Sequence, residues 1–505
     1  MKKVLALLLA ILMTVGTLSL IACGNEKDPD SGKKDPEKPI TDPVDPVDPG
    51  TDPVDPGTDP VDPGTDPDVP DKKYLDDLPE QMDFGGEVVR FYLSDGHAEN
   101  AYCNVPEQFN DGDVVEYAIY QRENLLNERL NVVLEGITVN LSAFPSKVMG
   151  MVDGGTADFD AIVGDGKGHA GLALQGYALD LNKLPGLNFS KDYWNESYTE
   201  KYNYKKKQYW GTGDGLLSLL KLTVCMYAND DMLAMYHPDL NLFDVVENGE
   251  WTTEKMYELT NGIKSEDGVA DTDVICGFSY QGNWRGGAML KSAGYTMSIP
   301  DGSKWKIQLA GPENEAIFEA VQKLCVDNNG SSAVAGHDAF KEGRAMFYDY
   351  TFELAEGLRN EDVNYSIVPC PKFREEGDYI SYTFEGFPIM GVLSTLPEER
   401  YELVGAAMEL YSSLGRQFLT EGYYEVALKT KYAQNTGSYR CIELVRKGNK
   451  TDFAFAWCGA LNQIDIFPTG VLSGHGNITT MAASSEAAYQ KLLDNLYIQL
   501  KKLDK

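Results

Sequence analysis

The stretch HDAFKEGRAMFYDYTFELAEGL, residues 337–358, decides the fold. It predicts a short helix, a turn at Gly343 and then the strand AMFYDY at 345–350. Helix and strand signals alternate in the same way along the chain on both sides of this stretch. Such alternation is typical of a mainly parallel or mixed sheet covered by helices, so the sequence indicates an α/β fold.

Apolar runs and helix signals extend this pattern outward. EVVRFYL (87–93), FDAIVG (159–164) and LTVCMYA (222–228) predict strands. Between the first two, apolar residues repeat on one face from Val114 to Leu130 and predict a long helix. A last helix is predicted near the C-terminus, where its apolar stripe closes the fold: Tyr489, Leu492, Leu493, Leu496, Leu500 and Leu503.

Helix starts are marked at two further positions. Thr252 is a suitable N-cap for a helix that continues through Ile263. Pro312 stands where proline is tolerated, in the first turn of a helix. Both helices are expected to be scaffold.

The beginning of the chain predicts export and lipid attachment. Two lysines precede an apolar run from Val4 to Leu12, and Leu20-Ile21-Ala22-Cys23 follows as a lipobox. We expect residues 1–22 to be a signal peptide and Cys23 to become the diacylated N-terminus. No later segment approaches the roughly 20 apolar residues of a membrane-spanning helix. The remainder is therefore predicted to lie outside the membrane, held by lipid.

Residues 23–73 are predicted to form a disordered stalk. The segment is dominated by Asp, Pro, Gly, Thr and Val, with the near-repeat DPVDPGTDPVDPGTDP, and cannot bury a core. Proline and like-charged aspartates favour an extended path, so about 50 such residues could reach on the order of 150 Å. A stalk across a cell wall and a plain flexible spacer are both compatible with this composition.

Charge and cysteine content exclude several classes of protein. The formal net charge is −34, which argues against nucleic-acid binding. Eight cysteines are present, so seven remain after Cys23, without a CxxC pair. That pattern argues against a disulfide framework or a zinc site, and we expect mostly free, buried thiols. The folded part, about 430 residues, is too long for one core and suits two lobes.

Several segments, taken in order, resemble the family 1 extracellular solute-binding proteins, to which maltose-binding protein is distantly related. The most specific match is the family's Phe-x-x-Gly-x-Ala-Met element, represented by Phe340, Gly343, Ala345 and Met346. Residues 159–184 are similar to the family's strand that delivers an aspartate to the cleft and the helix after it. Further similar segments are the crossing-strand region 203–233 and the tryptophan-then-helix region 247–263.

The resemblance implies a two-lobed, periplasmic-binding-protein-like (type II) α/β fold with crossing hinge strands. Lobe one is predicted to comprise residues 74–213 and 345–395, and lobe two residues 214–344 and 396–505. The resemblance also implies a monomeric substrate-binding lipoprotein on the extracellular face of the cell membrane. It would capture a sugar or oligosaccharide by closing its lobes and deliver it to ABC transporter permease subunits. No catalytic residue, cofactor or metal is implied.

The same resemblance suggests which side chains contact the ligand. Asp165, at the end of FDAIVG, would accept hydrogen bonds from sugar hydroxyls, although it could equally be a turn aspartate before a glycine. Trp284 and Arg285 lie in the glycine-rich loop QGNWRGG, where a flat indole suits the apolar face of a sugar. An acidic chain without an evident cationic pocket disfavours a highly anionic ligand, apart from what Arg285 contributes.

Four further aromatic or acidic residues are candidates. Tyr350 and Phe352 follow the crossing strand, and Glu385 lies in TFEGFPIMG. For each of these three, a packing or turn role is the alternative. Trp457 could supply a second stacking surface, but its apolar neighbours favour a core position. Trp210, near the predicted hinge segment GTGDG (211–215), could serve either way.

Two other functions compete with solute capture. A surface glycosidase would also need aromatic subsites, and Asp165 with Glu385 could form its carboxylate pair. A wall-anchored adhesin would explain the stalk and the lipid but not the two-lobe pattern. A Ser-His-Asp hydrolase and a phosphate-binding glycine loop are poorly supported, because GFSYQG and GTGDG match neither motif.

Overall fold

The computed structural model describes residues 74–95, 114–265, 273–280, 287–358, 361–384, 386–423 and 436–503. The predicted signal peptide, Cys23 and the stalk lie outside these ranges. Within them, two main sheets contain strands that we label in chain order: β1 (Glu87–Ser94), β2 (Val132–Val139), β3 (Ala161–Asp165), β4 (Val224–Asn229), β5 (Cys276–Ser279), β6 (Ser331–Ser332), β7 (Ala345–Thr351), β8 (Tyr365–Val368) and β9 (Pro388–Val392).

Helices surround both sheets. The α-helices of the described ranges are Val114–Leu130, Phe144–Asp153, Gly166–His169, Gly171–Leu174, Glu196–Thr199, Ser218–Lys221, Asp230–Tyr236, Leu242–Glu247, Thr253–Thr260, Gly287–Ser292, Pro312–Cys325, Gly336–Lys341, Leu354–Leu358, Tyr401–Leu414, Thr436–Lys447, Phe453–Ala456, Ile466–Ser473 and Ile478–Lys502. Short 3₁₀ turns and a π-helical stretch complete them: Leu141–Ala143, Leu181–Lys183, Glu200–Tyr202, Glu398–Arg400 and Gly415–Thr420. No helix of the described residues is long and apolar enough to cross a membrane.

The first sheet has the strand order β9-β3-β1-β2. β1 runs parallel to both β2 and β3, whereas β9 runs antiparallel to β3. The helices Val114–Leu130 and Tyr401–Leu414 cover one face, where Phe91 packs edge-on against Tyr411 with ring centroids 5.2 Å apart. This face has its own hydrophobic core, which makes the sheet the centre of one lobe.

The second sheet has the strand order β6-β5-β7-β4-β8. β7 lies at its centre, parallel to β5 and antiparallel to β4. Two hairpins lie apart from both sheets, Asn203–Tyr204 with Lys207–Gln208 and Ser298–Asp301 with Lys304–Ile307.

The observed sheets differ from the predicted division of the lobes. The prediction gives residues 345–395 to lobe one, but β7 and β8 belong to the second sheet because their backbone pairs with β4. The helix Tyr401–Leu414, predicted in lobe two, instead packs on the first sheet. Only β9 of the returning segment joins the first sheet.

Local predictions agree closely with the structure. The helix Val114–Leu130 has the predicted bounds. The Thr252 hydroxyl accepts a hydrogen bond from the Lys255 N–H at 3.1 Å, as expected of an N-cap. The helices from Pro312 and near the C-terminus are also present. Six cysteines of the described ranges are free and buried, as expected: Cys225, Cys276, Cys325, Cys370, Cys441 and Cys458.

Two chain segments cross between the sheets side by side. At the first sheet, the backbones of Gly211 and Met390 exchange hydrogen bonds of 2.9 and 2.8 Å. At the second sheet, the Val224 N–H donates to the Tyr382 carbonyl at 2.9 Å. The predicted hinge segment 211–215 therefore begins one of the two crossings.

Candidate functional site

The crossing segments meet a third segment at a buried polar junction, formed by Thr223, Thr383 and Asn449. The two threonine hydroxyls lie 2.8 Å apart, and the Asn449 side-chain amide lies 2.9 Å from each. All three side chains are buried. Buried hydrogen bonds hold such segments in register, so this junction fixes where the two lobes are joined.

A cavity of about 140 Å³ opens beside this junction, at the carboxyl end of β7. Its lining combines the start of β4, the end of β7 and the crossing segment: Leu222, Val224, Ala288, Asp349, Tyr350, Thr351, Glu353, Tyr382 and Phe384. Tyr350 is half-buried and stacks on Tyr348 with ring centroids 5.6 Å apart. Burial raises the pKa of Tyr350, so its hydroxyl stays protonated and can donate a hydrogen bond.

A larger cavity of about 370 Å³ is also lined by Tyr382, and we call it the lysine chamber. It is lined by Ser197, Glu200, Lys201, Lys291, Gly294, Tyr295, Thr296, Ile380, Tyr382, Lys450, Thr451, Asp452 and Phe455. The rings of Tyr382 and Phe455 meet edge-to-face, with centroids 6.1 Å apart. A volume of this size is within the range of small-molecule pockets, and aromatic walls with a few polar groups are their usual lining.

Asp165 lies at the carboxyl end of β3, but it is engaged in local structure. Its carboxylate accepts a hydrogen bond from the Gly168 N–H and caps the helix Gly166–His169. Its own N–H donates to His169 Nδ1 at 2.7 Å. The Phe387 ring covers Gly166 so closely that a Cβ there would lie 2.4 Å from the ring. Asp165 lines neither cavity, and this geometry favours the turn role that the sequence left open.

Phe352 and Trp457 are packed in the interior. Phe352 is 1% exposed and belongs to the core around β7. Trp457 is 2% exposed, and its indole N–H donates to the Lys201 carbonyl at 2.9 Å. Trp210 is buried as well, and its indole N–H donates to the Ala170 carbonyl at 3.3 Å. All three therefore have complete packing roles without a ligand.

The predicted site residues Trp284, Arg285 and Glu385 lie outside the described residues. Their neighbours along the chain are informative, since Ala288 and Phe384 both line the smaller cavity. Of the predicted site residues, the structure thus places Tyr350 at that cavity. Ala288 and Phe384, which line it as well, are close in sequence to the other three.

The sequence analysis did not find the side chains of the lysine chamber. Tyr382 directly precedes the segment TFEGFPIMG, and Lys291 follows the QGNWRGG loop by four residues. Both were therefore close to segments already singled out. One signal could have found Lys291: a lysine on the first helix after a predicted cleft loop lies near that cleft. Among the described residues, no cluster of His, Cys, Asp or Glu could hold a metal ion.

No protein-family model matches the chain, and no curated protein matches it. Solved structures do resemble it. The cyclic α-maltosyl-1,6-maltose binding protein of Arthrobacter globiformis has a TM-score of 0.56 and 15% identity, covering 81% of this chain and all of its own. The GacH receptor of Streptomyces glaucescens, solved without ligand and with acarbose, has a TM-score of 0.52 and 15% identity over 81% of this chain and 99% of its own.

A third similar structure is UgpB of Mycobacterium tuberculosis in complex with glycerophosphocholine. Its TM-score is 0.51 and its identity 14%, covering 83% of this chain and all of its own. Together these similarities show the fold: the chain is a two-lobed, periplasmic-binding-protein-like α/β protein. At such low identity, the fold is what they establish.

Proposed function

We propose that this chain, with the two-lobed fold of solute-binding proteins, is the extracellular substrate-binding lipoprotein of an ABC importer and captures a sugar or oligosaccharide. One observation carries the proposal. Two adjacent crossing segments meet at the Thr223–Thr383–Asn449 junction, and aromatic-lined cavities lie directly beside it. Two sheets joined by crossing segments next to a ligand-sized cavity suit capture by hinge closure.

Closure is driven by the ligand itself. A ligand that contacts both lobes binds the closed state more tightly than the open state and shifts the population toward closure. A closed shape is also what permease subunits could distinguish from an empty protein. The lipid anchor at Cys23 and the stalk would keep the monomeric receptor on the outer face of the cell membrane.

The ligand class is inferred from the lining and from the similar structures. Two of those proteins bind or were solved with oligosaccharide-type ligands, and one was solved with glycerophosphocholine. The tyrosine and phenylalanine rings at both cavities suit the apolar face of a sugar. We therefore favour a saccharide over other small solutes.

Among the sequence candidates, we propose Tyr350, Trp284, Arg285 and Glu385 as ligand contacts. We assign Asp165 to capping of the helix Gly166–His169, and Phe352 and Trp457 to packing, because each is buried among protein partners. Tyr382 joins the proposed contacts, since it lines both cavities.

The test is a thermal-shift screen of the purified protein against neutral monosaccharides and oligosaccharides, with chromatography of the same mixtures. We expect a saturable rise in melting temperature with at least one intact sugar, because a ligand that binds only the native state stabilises it. Small-angle scattering with that sugar should show a smaller radius of gyration. Breakdown of the sugar would instead support the glycosidase alternative.

A further inference from the structure

We propose that Asp214 is a proton-controlled element of the hinge: its protonated form favours the lobe arrangement of this structure, and its ionised form favours a second arrangement. Asp214 lies in the segment 211–215, which begins one of the two crossings between the sheets. The inference concerns how the lobes move and requires no bound ligand. It can therefore fail without affecting the proposed capture of a sugar.

The backbone of Asp214 is packed tightly against the first lobe. Its N–H donates to the Tyr193 carbonyl at 2.8 Å. Gly415, the first residue of the π-helical stretch, lies so close that a Cβ there would be 2.5 Å from the Asp214 carbonyl oxygen. The backbone position is thus fixed to the first lobe, so a movement of the second lobe changes what surrounds the Asp214 side chain.

An arginine from each lobe approaches the Asp214 carboxylate. Arg416 lies on the π-helical stretch that continues the first-sheet helix Tyr401–Leu414, and its Nε is 3.7 Å from Asp214 Oδ2. Arg446 lies on the helix Thr436–Lys447, which shares a core with β8, and its Nη1 is 3.5 Å from the same oxygen. The carboxylate therefore lies between positive charges that the two lobes carry separately.

The pairing of this carboxylate is incomplete in the present arrangement. Asp214 Oδ2 is buried and accepts no hydrogen bond from any residue that the structure describes. Both arginines also form ion pairs elsewhere, Arg446 with Glu443 at 3.2 Å and Arg416 with Glu421 at 3.1 Å. A buried carboxylate without hydrogen bonds is costly in its ionised form. A lobe movement that brings a guanidinium closer, or admits water, lowers that cost.

Burial of Asp214 places its titration in a mildly acidic range. Burial raises the pKa of Asp214 to about 6, against Arg446 and Arg416, which lower it, while Asp192 and Glu443 also raise it. The other titratable groups of the surrounding elements are Arg122, Glu123, Glu196, Glu421, Tyr439, Lys447 and Lys450. The charge of Asp214 therefore changes near pH 6.

The direction of the effect follows from proton linkage. A carboxylate whose pKa is raised binds a proton more readily in the present arrangement than in one where it is better paired or hydrated. Acidification through about pH 6 therefore favours the present arrangement, and raising the pH favours the second. If Asp214 has the ordinary aspartate pKa of about 3.9 in the second arrangement, the population ratio changes about tenfold from about pH 7.5 to about pH 5.

The experiment measures the distance between the lobes of the unliganded full chain by pulsed electron spin resonance. Spin labels are attached at two exposed positions, through Lys147→Cys on the helix Phe144–Asp153 and Glu319→Cys on the helix Pro312–Cys325. The first helix packs on β1 and the second is bonded to β6, so the labels report on different lobes. We expect two distances whose population ratio changes about tenfold between these pH values. The parent chain, labelled in the same way, gives the background from other thiols.

Three variants identify the group that responds. Asp214→Asn keeps the shape of the side chain without its charge, so it should hold the present arrangement at both pH values. Asp230→Asn is the matched control, because burial also raises the pKa of Asp230, which directly follows the end of β4 and bonds Ser366, away from the hinge. It should respond like the parent. Arg446→Met removes a positive neighbour that lowers the pKa of Asp214, so the midpoint of the response should move to higher pH.

Two results would overturn the inference. One is a parent protein whose lobe distances are the same at both pH values, and the other is an Asp214→Asn variant that responds to pH as the parent does. If Asp214→Asn does not fold, an unchanged midpoint in Arg446→Met would overturn it equally. None of these outcomes alters the thermal-shift test with sugars, so the proposed function is judged separately.

Discussion

The two sheets end differently at the place where the lobes meet. At the end of β3 in the first sheet, Asp165 caps a helix and the Phe387 ring closes over Gly166. At the end of β7 in the second sheet, Tyr350 faces a cavity. Both strand ends carry residue types that suit ligand binding. Whether such a residue is available depends on what covers it, and the covering residue comes from a distant part of the chain.

We call the end of β3, where the Phe387 ring covers Gly166, the closed end, and the end of β7 the open end. Phe387→Ala should have the largest effect on stability, because it removes the ring that covers the closed end. The ring is fully buried and contacts Tyr198 and Phe455, with centroids 4.6 and 6.1 Å away. We expect the free energy of unfolding to fall by about 3–5 kcal/mol. Denaturant unfolding at neutral pH measures it. A loss below 1 kcal/mol, roughly that of a surface change, would mean that Phe387 does not hold this end shut.

Asp165→Ala should destabilise the closed end less. Loss of the cap on Gly166–His169 is expected to lower the free energy of unfolding by about 1–2 kcal/mol, with little change in ligand affinity. Asp165→Asn is the matched control, because asparagine also caps helices. A large fall in affinity in both variants, without a change in stability, would restore Asp165 as a ligand contact.

Tyr350→Ala tests the open end. Affinity for the captured ligand should fall about tenfold as stacking and a hydrogen bond are lost. Calorimetry measures this, and Tyr350→Phe should retain most of the stacking contribution. The exposed Tyr236 provides a distant control, and Tyr236→Ala should bind normally. Unchanged affinity in Tyr350→Ala would show that the cavity at β7 is not used.

The smallest expected effect is a pH dependence of the free energy of unfolding that arises from His169 at the closed end. Burial lowers the pKa of His169, against the neighbouring Asp165 carboxylate, which raises it. On acidification, the unfolded chain, with a histidine pKa of about 6.5, therefore takes up a proton before the folded protein does. The contribution of neutral His169 to the free energy of unfolding is fully present above about pH 6.5 and is lost as the pH falls below that value.

Unfolding midpoints measured at about pH 7.5 and pH 5.5 check this pKa effect. The loss on acidification should be smaller in His169→Gln than in the parent protein. His337→Gln, at an exposed histidine beside Asp338, should leave the loss unchanged. Equal losses in all three proteins would show that His169 does not contribute.

Local elements could be read from the sequence because their causes are local. The helix Val114–Leu130 was predicted with its bounds from the spacing of apolar residues, and the cap at Thr252 from its residue type. The two-lobed fold was instead implied by the resemblance of several segments, taken in order, to the family 1 solute-binding proteins. The helix and cap signals are each contained within a short window of sequence.

The lobe boundaries depend on which strands pair with each other, and no short window of sequence contains that information. β7 was placed with lobe one, yet its partners β4 and β5 lie far from it along the chain, and pairing decides its sheet. The same limit applies to the site. Phe352 is an aromatic residue that would suit a cleft, but burial by distant residues gives it a packing role, whereas the apolar neighbours of Trp457 already favoured the buried position that it has. Tyr382 carried no distinguishing sequence signal among 29 tyrosines.

The crossing junction also has a consequence for biosynthesis. Thr223 and Thr383 are 160 residues apart, and Thr223 and Asn449 are 226 apart. At about 5–20 residues per second, roughly 10–45 s of translation separate the first of these residues from the last. Contacts this distant in sequence form late, after the local elements. A chain shortened before Asn449 would therefore contain most of its strands and both crossing threonines, yet could not complete the joint between them.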